Sequence, residues 1–249
     1  RCEKTLDNPA STNQSIDRIA LDIQPIFNTD LPKENNWLFR AINRLHIPTE
    51  PKVILEDLLF TRGDEVTPAL LANAERRLRS RQYFNGAKVE QAALCEEHTK
   101  VKVSVKEVWT LEPTVQFAKT GDDDRFAYGL KDSNLLGKGK TIQFFRLNET
   151  NRNSSTLYYY DPNAWKNSKL RLNASDNSDG HYYSAALEKS FESIQAPYAF
   201  GFNVFNFKQD TLFYDRGNVV DEYQQKSEGL QLSFGKKMKV SENRVHRLS

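Results

Sequence analysis

The stretch Phe126-Ala127-Tyr128-Gly129-Leu130-Lys131, followed at once by Asp132-Ser133-Asn134-Leu135-Leu136-Gly137-Lys138-Gly139, decides how this chain is read. Phe126, Tyr128 and Leu130 alternate with Ala127, Gly129 and Lys131, the period of two that places large apolar side chains on one face of a β-strand and small or polar ones on the other. The residues after it have turn chemistry. Gly137 and Gly139 tolerate the positive φ of a tight hairpin, and Asp132 and Asn134 can cap nearby backbone groups.

The same alternation recurs downstream. Val115 and Phe117 flank Gln116; Leu170 and Leu172 interleave with Lys169, Arg171 and Asn173; Tyr198, Phe200, Phe202 and Val204 interleave with Ala199, Gly201 and Asn203; Leu230, Leu232 and Phe234 interleave with Gln231, Ser233 and Gly235. Residues 109–249 are therefore expected to form about eight antiparallel strands. Of the 25 Phe and Tyr residues, 20 lie after position 108, so the chain has two halves of different type, meeting near Trp109. Counter-faces of Gly, Ala, Ser, Asn and Gln suit a polar lumen with lipid outside. A soluble sheet with an aromatic core gives the same alternation.

Upstream the pattern is mixed. Residues 1–15 are polar and read as a loose arm. Ile16, Ile19, Leu21 and Ile23 predict a strand. Trp37, Leu38, Ala41, Ile42 and Leu45 share a helical face from Asn36. Val53, Ile54, Leu58 and Leu59 predict a second helix that stops at Gly63. Thr67 as N-cap with Pro68 at the first helical position starts a third, which is expected to bury Leu70, Leu71, Ala74 and Leu78 and to expose Arg76, Arg77, Arg79 and Arg81. Strands follow at 87–94 and 100–108, where Val101, Val103 and Val105 alternate with Lys102, Ser104 and Lys106. Residues 16–108 thus read as one α+β module.

The 249 residues carry 35 basic and 33 acidic side chains, a net charge of +2, so nucleic acid is not an expected partner. No apolar run approaches the ~18 residues of a spanning helix, but strands of about 10 alternating residues escape that test. Cys2 and Cys95 stand in no metal-ligand spacing; they fit one disulfide and equally two free thiols. His46, His98, His181 and His246 form no recognisable motif, and Asp122-Asp123-Asp124 falls where a solvated hairpin loop is expected. No catalytic constellation, metal site or cofactor is predicted, and the chain is not expected to be an enzyme.

Asp132-Ser133-Asn134-Leu135-Leu136-Gly137-Lys138-Gly139 resembles the D-x-N-(L/W)-L-G-x-G turn of the BamA/TamA-like outer-membrane superfamily. Tyr158-Tyr159-Tyr160-Asp161-Pro162-Asn163-Ala164-Trp165 is similar to the strand-to-turn segment that follows two strands later in that family. Leu58-Leu59-Phe60-x-x-Gly63-Asp64, Glu75 to Arg79, Tyr83-Phe84 and Val101 to Val105 resemble a POTRA domain. The chain departs from the pattern in three ways: only one POTRA-like module, enlarged by residues 28–50; no V-R-G-(Y/F) element, which Arg216-Gly217-Asn218 does not match; and no aromatic last residue.

The resemblance implies a POTRA-like periplasmic domain over 16–108 and the N-terminal strands of a transmembrane surface-antigen barrel over 109–249, truncated before the barrel closes. It implies a place in the bacterial outer membrane and a part in inserting or translocating proteins, or lipids. Implied partners are outer-membrane lipid, an extended client polypeptide and periplasmic accessory proteins. The expected mode is β-augmentation at a POTRA strand edge, for which Lys88, Val89, Glu90 and Gln91 have the short, charged character of a managed edge. By position, residues 114–119 are the first barrel strand, which in the family opens laterally. Two other readings fit the same residues: a passive surface antigen or pore, and a soluble secreted two-domain binding protein.

Overall fold

The computed structural model describes residues 15–95, 98–121, 123–150, 152–165, 167–191, 197–216, 218–241 and 244–248. They divide into two compact units: the described residues up to Thr110 together with Ser133–Gly139, and Leu111–Asp132 with the described residues from Lys140 onward.

The first unit runs β1 (Ser15–Gln24), α1 (Trp37–Leu45), α2 (Pro51–Asp57), α3 (Pro68–Arg79), β2 (Phe84–Cys95) and β3 (His98–Glu107). Its sheet has the order β1-β3-β2, with β1 parallel and β2 antiparallel to β3. A parallel pair needs a crossover, and the three helices lie in that connection. Helix starts follow local chemistry: Asn36 Oδ1 accepts from the Phe39 N–H at 2.9 Å, and Thr67 Oγ1 accepts from the Leu70 N–H at 3.1 Å with Pro68 behind it. Ile16, Ile54, Leu58, Ala74, Leu78, Val101, Val103 and Val105 form the core between helices and sheet.

Two expectations need correction. The second helix ends at Asp57, not at Gly63, because Leu59 takes a φ of 62°, which stops the helix; the next residue, Phe60, is buried in the core. Arg77 and Arg81 are not a solvated face. Their side chains are 12% exposed and both pair with Asp57, which is 0% exposed and also accepts from the Tyr83 hydroxyl at 3.3 Å. A buried carboxylate must be paired and hydrogen-bonded, and this one draws in two of the four arginines. Burial and the adjacent Asp57 charge push the Tyr83 phenol pKa up. On the first helix Trp37 is 75% and Leu45 72% exposed.

The second unit is an antiparallel meander of nine described strands, one more than expected: β4 (Leu111–Thr120), β5 (Asp123–Asp132), β6 (Thr141–Glu149), β7 (Asn153–Trp165), β8 (Ser168–Asn177), β9 (Gly180–Lys189), β10 (Tyr198–Asp215), β11 (Asn218–Ser241) and β12 (Arg244–Leu248). Each pairs with its sequence neighbour, and β4 and β12 are the edges. β9 accompanies β10 only as far as Gln209, whereas β11 follows it to Asp215. Beyond Gln209 the sheet thus narrows to a two-stranded ribbon.

Replacing Asp57 by Ala removes the buried carboxylate that the Arg77 and Arg81 guanidinium groups bond. The expected loss is about 3 kcal/mol or more, read as a lower midpoint in urea denaturation. Arg76→Ala, on the exposed side of α3, should leave the midpoint unchanged.

Candidate functional site

Three places carry functional weight, and each is built within one unit. The first is β2, whose only strand partner among the described residues is β3, so it forms an edge of the three-stranded sheet. Lys88, Val89, Glu90 and Gln91 lie in its middle. Lys88 is exposed and paired with Glu90, whose carboxylate raises the lysine pKa. Val89 is buried. The Gln91 amide donates to Thr99 Oγ1 on β3 at 2.5 Å. The Val89 N–H is already used: it donates to Glu75 Oε2 of α3 at 3.1 Å. Two residues back, the Ala87 carbonyl accepts from Arg79 Nε at 3.0 Å. Glu75 and Arg79 are themselves joined, Oε1 to Nη2, at 2.9 Å.

The second place is the turn after Asp132, the last residue of β5. Residues Ser133–Gly139 belong to the first unit, where a chain of buried polar groups holds them. Asn134 Oδ1 accepts from the Gly139 N–H at 2.7 Å, and its Nδ2 donates to Thr49 Oγ1 at 2.9 Å. The Thr49 N–H donates to Glu107 Oε1 at 2.5 Å, and His46 Nε2 donates to Glu107 Oε2 at 2.9 Å. The Glu50 N–H closes the set on the Gly137 carbonyl at 2.8 Å. Leu135, Leu136 and Gly137 make a tight turn in which Leu136, like Gly137, takes a positive φ, 53°. Gly137 and Gly139 have φ of 72° and 65°, and a Cβ at either would collide, with the Pro48 carbonyl oxygen at Gly137 and with Val53 and Tyr83 at Gly139. Glycine is needed at both for space as well as for backbone conformation.

Glu107 is the charged member of this chain, 3% exposed. Burial works against its carboxylate, yet the hydrogen bonds from His46 and Thr49 outweigh it and hold its pKa below the ordinary value. Nothing local in the sequence marks His46, Thr49 and Glu107 as a set, since 58 to 61 positions separate the bonded residues.

The third place is the nine-stranded sheet, whose register defines two faces because directly opposite residues of an antiparallel pair point the same way. Val115, Phe117, Tyr128, Leu130, Phe144, Leu157, Leu172, Tyr183, Phe202, Val204, Leu230, Leu232 and Phe234 share one face, and all are exposed. This face turns polar along the row Arg146, Ser155, Asp176, His181 and Lys208. The other face carries Gln116, Ala127, Gln143, Thr156, Tyr158, Asn173, Ser184, Asn203, Gln231 and Ser233. There Arg171 bonds Glu188 at 2.8 Å, and a shallow recess of about 350 Å³ is lined by Gln143, Phe145, Thr156, Tyr158 and Asn173. Phe145 lies across Gly129 and Phe205 across Gly229, where a Cβ would meet the rings at 2.9 and 2.6 Å.

The remaining sequence features join none of these. The Cys2–Cys95 pairing lies outside the described residues. Asp122 is likewise outside them; Asp124, beside the β4–β5 turn, pairs with Lys119 at 3.2 Å. No group of His, Cys, Asp and Glu able to hold a metal exists among the described residues, and no helix there is long and apolar enough to cross a membrane.

No protein-family model and no curated protein matches the sequence. The fold is similar to that of BamA from Haemophilus ducreyi lacking POTRA domains 1–3, with a TM-score of 0.51 at 13% identity over 95% of this chain and 46% of that one. CdiB from Acinetobacter baumannii aligns with a TM-score of 0.43 at 11% identity, over 92% of this chain and 43% of its own. The chain thus spans less than half the length of either structure. What the first likeness establishes is a mostly antiparallel β fold of the BamA barrel type.

Two outcomes test the turn. Gly137→Ala should cost more than about 1 kcal/mol, seen as a lower transition temperature in calorimetry. Because the folded-state pKa of Glu107 lies below its ordinary 4.5, its stabilisation is complete above that value and is lost as pH falls through the lowered one. The difference in melting temperature between the native chain and Glu107→Gln should therefore shrink on acidification from about pH 6 to about pH 3.

Proposed function

We propose that the chain is an outer-membrane barrel protein of the BamA/TamA-like type, in which residues 16–108 form a POTRA-like periplasmic module and residues 109–249 form strands of a lipid-embedded barrel. Its role is to insert or translocate polypeptides at the bacterial outer membrane, and it is not an enzyme. The observation that carries this reading is the two-sidedness of the nine-stranded sheet. One face presents an exposed band of Phe, Tyr, Leu and Val, while the other is mostly small and polar, with Phe145, Leu147, Phe205 and Phe207 set among Gly, Ala, Ser, Thr, Asn and Gln. In water such a band is a large aggregation-prone patch; against lipid it is the side that belongs outside. The strand order β1-β3-β2, with helices between β1 and β2, supports the POTRA-like assignment.

The client would be an extended polypeptide pairing with the edge of β2 around Lys88 to Gln91. Backbone hydrogen bonds then give affinity with little sequence demand. β4, which contains residues 114–119, is an edge of its sheet, in keeping with a strand that releases laterally. The membrane partner is outer-membrane lipid.

The β-structure of the second unit is expected to appear by far-UV circular dichroism only in detergent micelles or lipid vesicles; a full chain that is a cooperatively folded monomer in plain buffer would replace this reading with a soluble binding protein. Val204→Arg, on the apolar face, should cost about 2–4 kcal/mol if it lies near mid-bilayer and lower the fraction inserted into vesicles. Asn203→Arg, one residue along on the opposite face, should insert like the native chain.

A further inference from the structure

We propose that the Glu75–Arg79 pair is a removable plug on the β2 edge, and that the partner of this edge is an extended polypeptide strand which must displace it. The inference rests on reading β2 as the client-pairing edge. Strand addition there needs the backbone groups of β2 that β3 does not use. Two of them, the Ala87 carbonyl and the Val89 N–H, are bonded to α3 side chains, Arg79 Nε at 3.0 Å and Glu75 Oε2 at 3.1 Å.

Arg79 donates where a client N–H would donate, and Glu75 accepts where a client carbonyl would accept. In a parallel ladder a single residue opposite Lys88 spans both atoms; in an antiparallel one two client residues share them. The ion pair that links Glu75 to Arg79 at 2.9 Å completes the imitation, since donor and acceptor are tied together as in one peptide residue. Spacing of four along α3 makes this possible, because residues i and i+4 stand side by side on a helix.

The pair is built to leave. The Glu75 and Arg79 side chains are 25% and 59% exposed, so water and salt screen their attraction. Both side chains can rotate out without opening the core, which Ala74 and Leu78 maintain from the same helix. The edge is therefore satisfied when empty, which guards it against indiscriminate pairing, and open to a strand that offers backbone groups along several residues at once. Arg76, on the same helix, is exposed and takes no part, and so serves as a charge control.

The test uses the full chain in detergent micelles, with Lys88→p-benzoylphenylalanine as a photo-crosslinking site. The probe is a blocked, uncharged, fluorescent peptide of about eight alternating threonine and valine residues. Glu75→Ala/Arg79→Ala is expected to bind it about tenfold more tightly than the native pair and to crosslink at position 88, while Arg76→Ala binds like the native chain. Glu75→Gln, which keeps an acceptor oxygen but loses the ion pair, should lie between them. Raising salt should tighten binding to the native chain and leave the double variant unchanged, a dependence that a purely structural role would not produce. Should the double variant fail to reproduce the native circular dichroism, Glu75→Gln and the salt series decide. Crosslinking at 88 with equal affinity in all forms would overturn the plug and leave the client edge standing. No crosslink at 88 in any form would overturn both.

Discussion

A side-chain amide buried with both ends bonded governs the loop between β5 and β6. Asn134 is 3% exposed, and its two polar atoms reach the Gly139 N–H and the Thr49 hydroxyl. An unpaired amide in that place would be costly, so the loop has one conformation in which the bonds close, and the two glycines are the residues that let the backbone reach it. The carboxylate of Glu107 then anchors the far end of the chain of bonds. Polar groups, and not apolar area, give this loop its definition, in contrast to the helices of the same unit, which are set by Leu58, Leu78 and the valines of β3.

The nine-stranded sheet obeys a different rule. Its strands bury little in a shared core; among its described apolar residues Ala127 and Pro162 are buried. Backbone ladders hold it, and side-chain size decides which face is which. Aromatic rings laid across Gly129 and Gly229 fill the small face locally, while the described side chains of the large face are exposed.

Much of this was legible in the residues. The Asn36 and Thr67-Pro68 helix starts follow from short-range chemistry, and the strands follow from a period of two that runs through Phe126 to Leu130 and Tyr198 to Val204. What could not be read were the pairings that cross the chain. Asp57 meets Arg77, Arg81 and Tyr83 over 20 to 26 positions, and Asn134 meets Thr49 over 85. Such contacts leave no periodic trace, and four arginines near one helix look alike until a buried carboxylate selects two of them. The plug on β2 was hidden for the same reason: Lys88 to Gln91 announce an edge, but Glu75 and Arg79 reveal their role only against a backbone that the helix overlies. The early end of α2 is a tertiary effect too, since Leu59 is a good helix former that takes positive φ where Phe60 is drawn inward.

The ribbon formed by β10 and β11 beyond Gln209 lacks the neighbours that hold the rest of the sheet. A two-stranded ribbon is marginal by itself and twists more strongly than a wide sheet, so residues 211–216 and 218–223 have little support for their amides beyond each other. Fast hydrogen exchange and the first protease nicks belong there, and so does tolerance of insertion, which makes this hairpin tip the natural place to append a tag or present a foreign epitope.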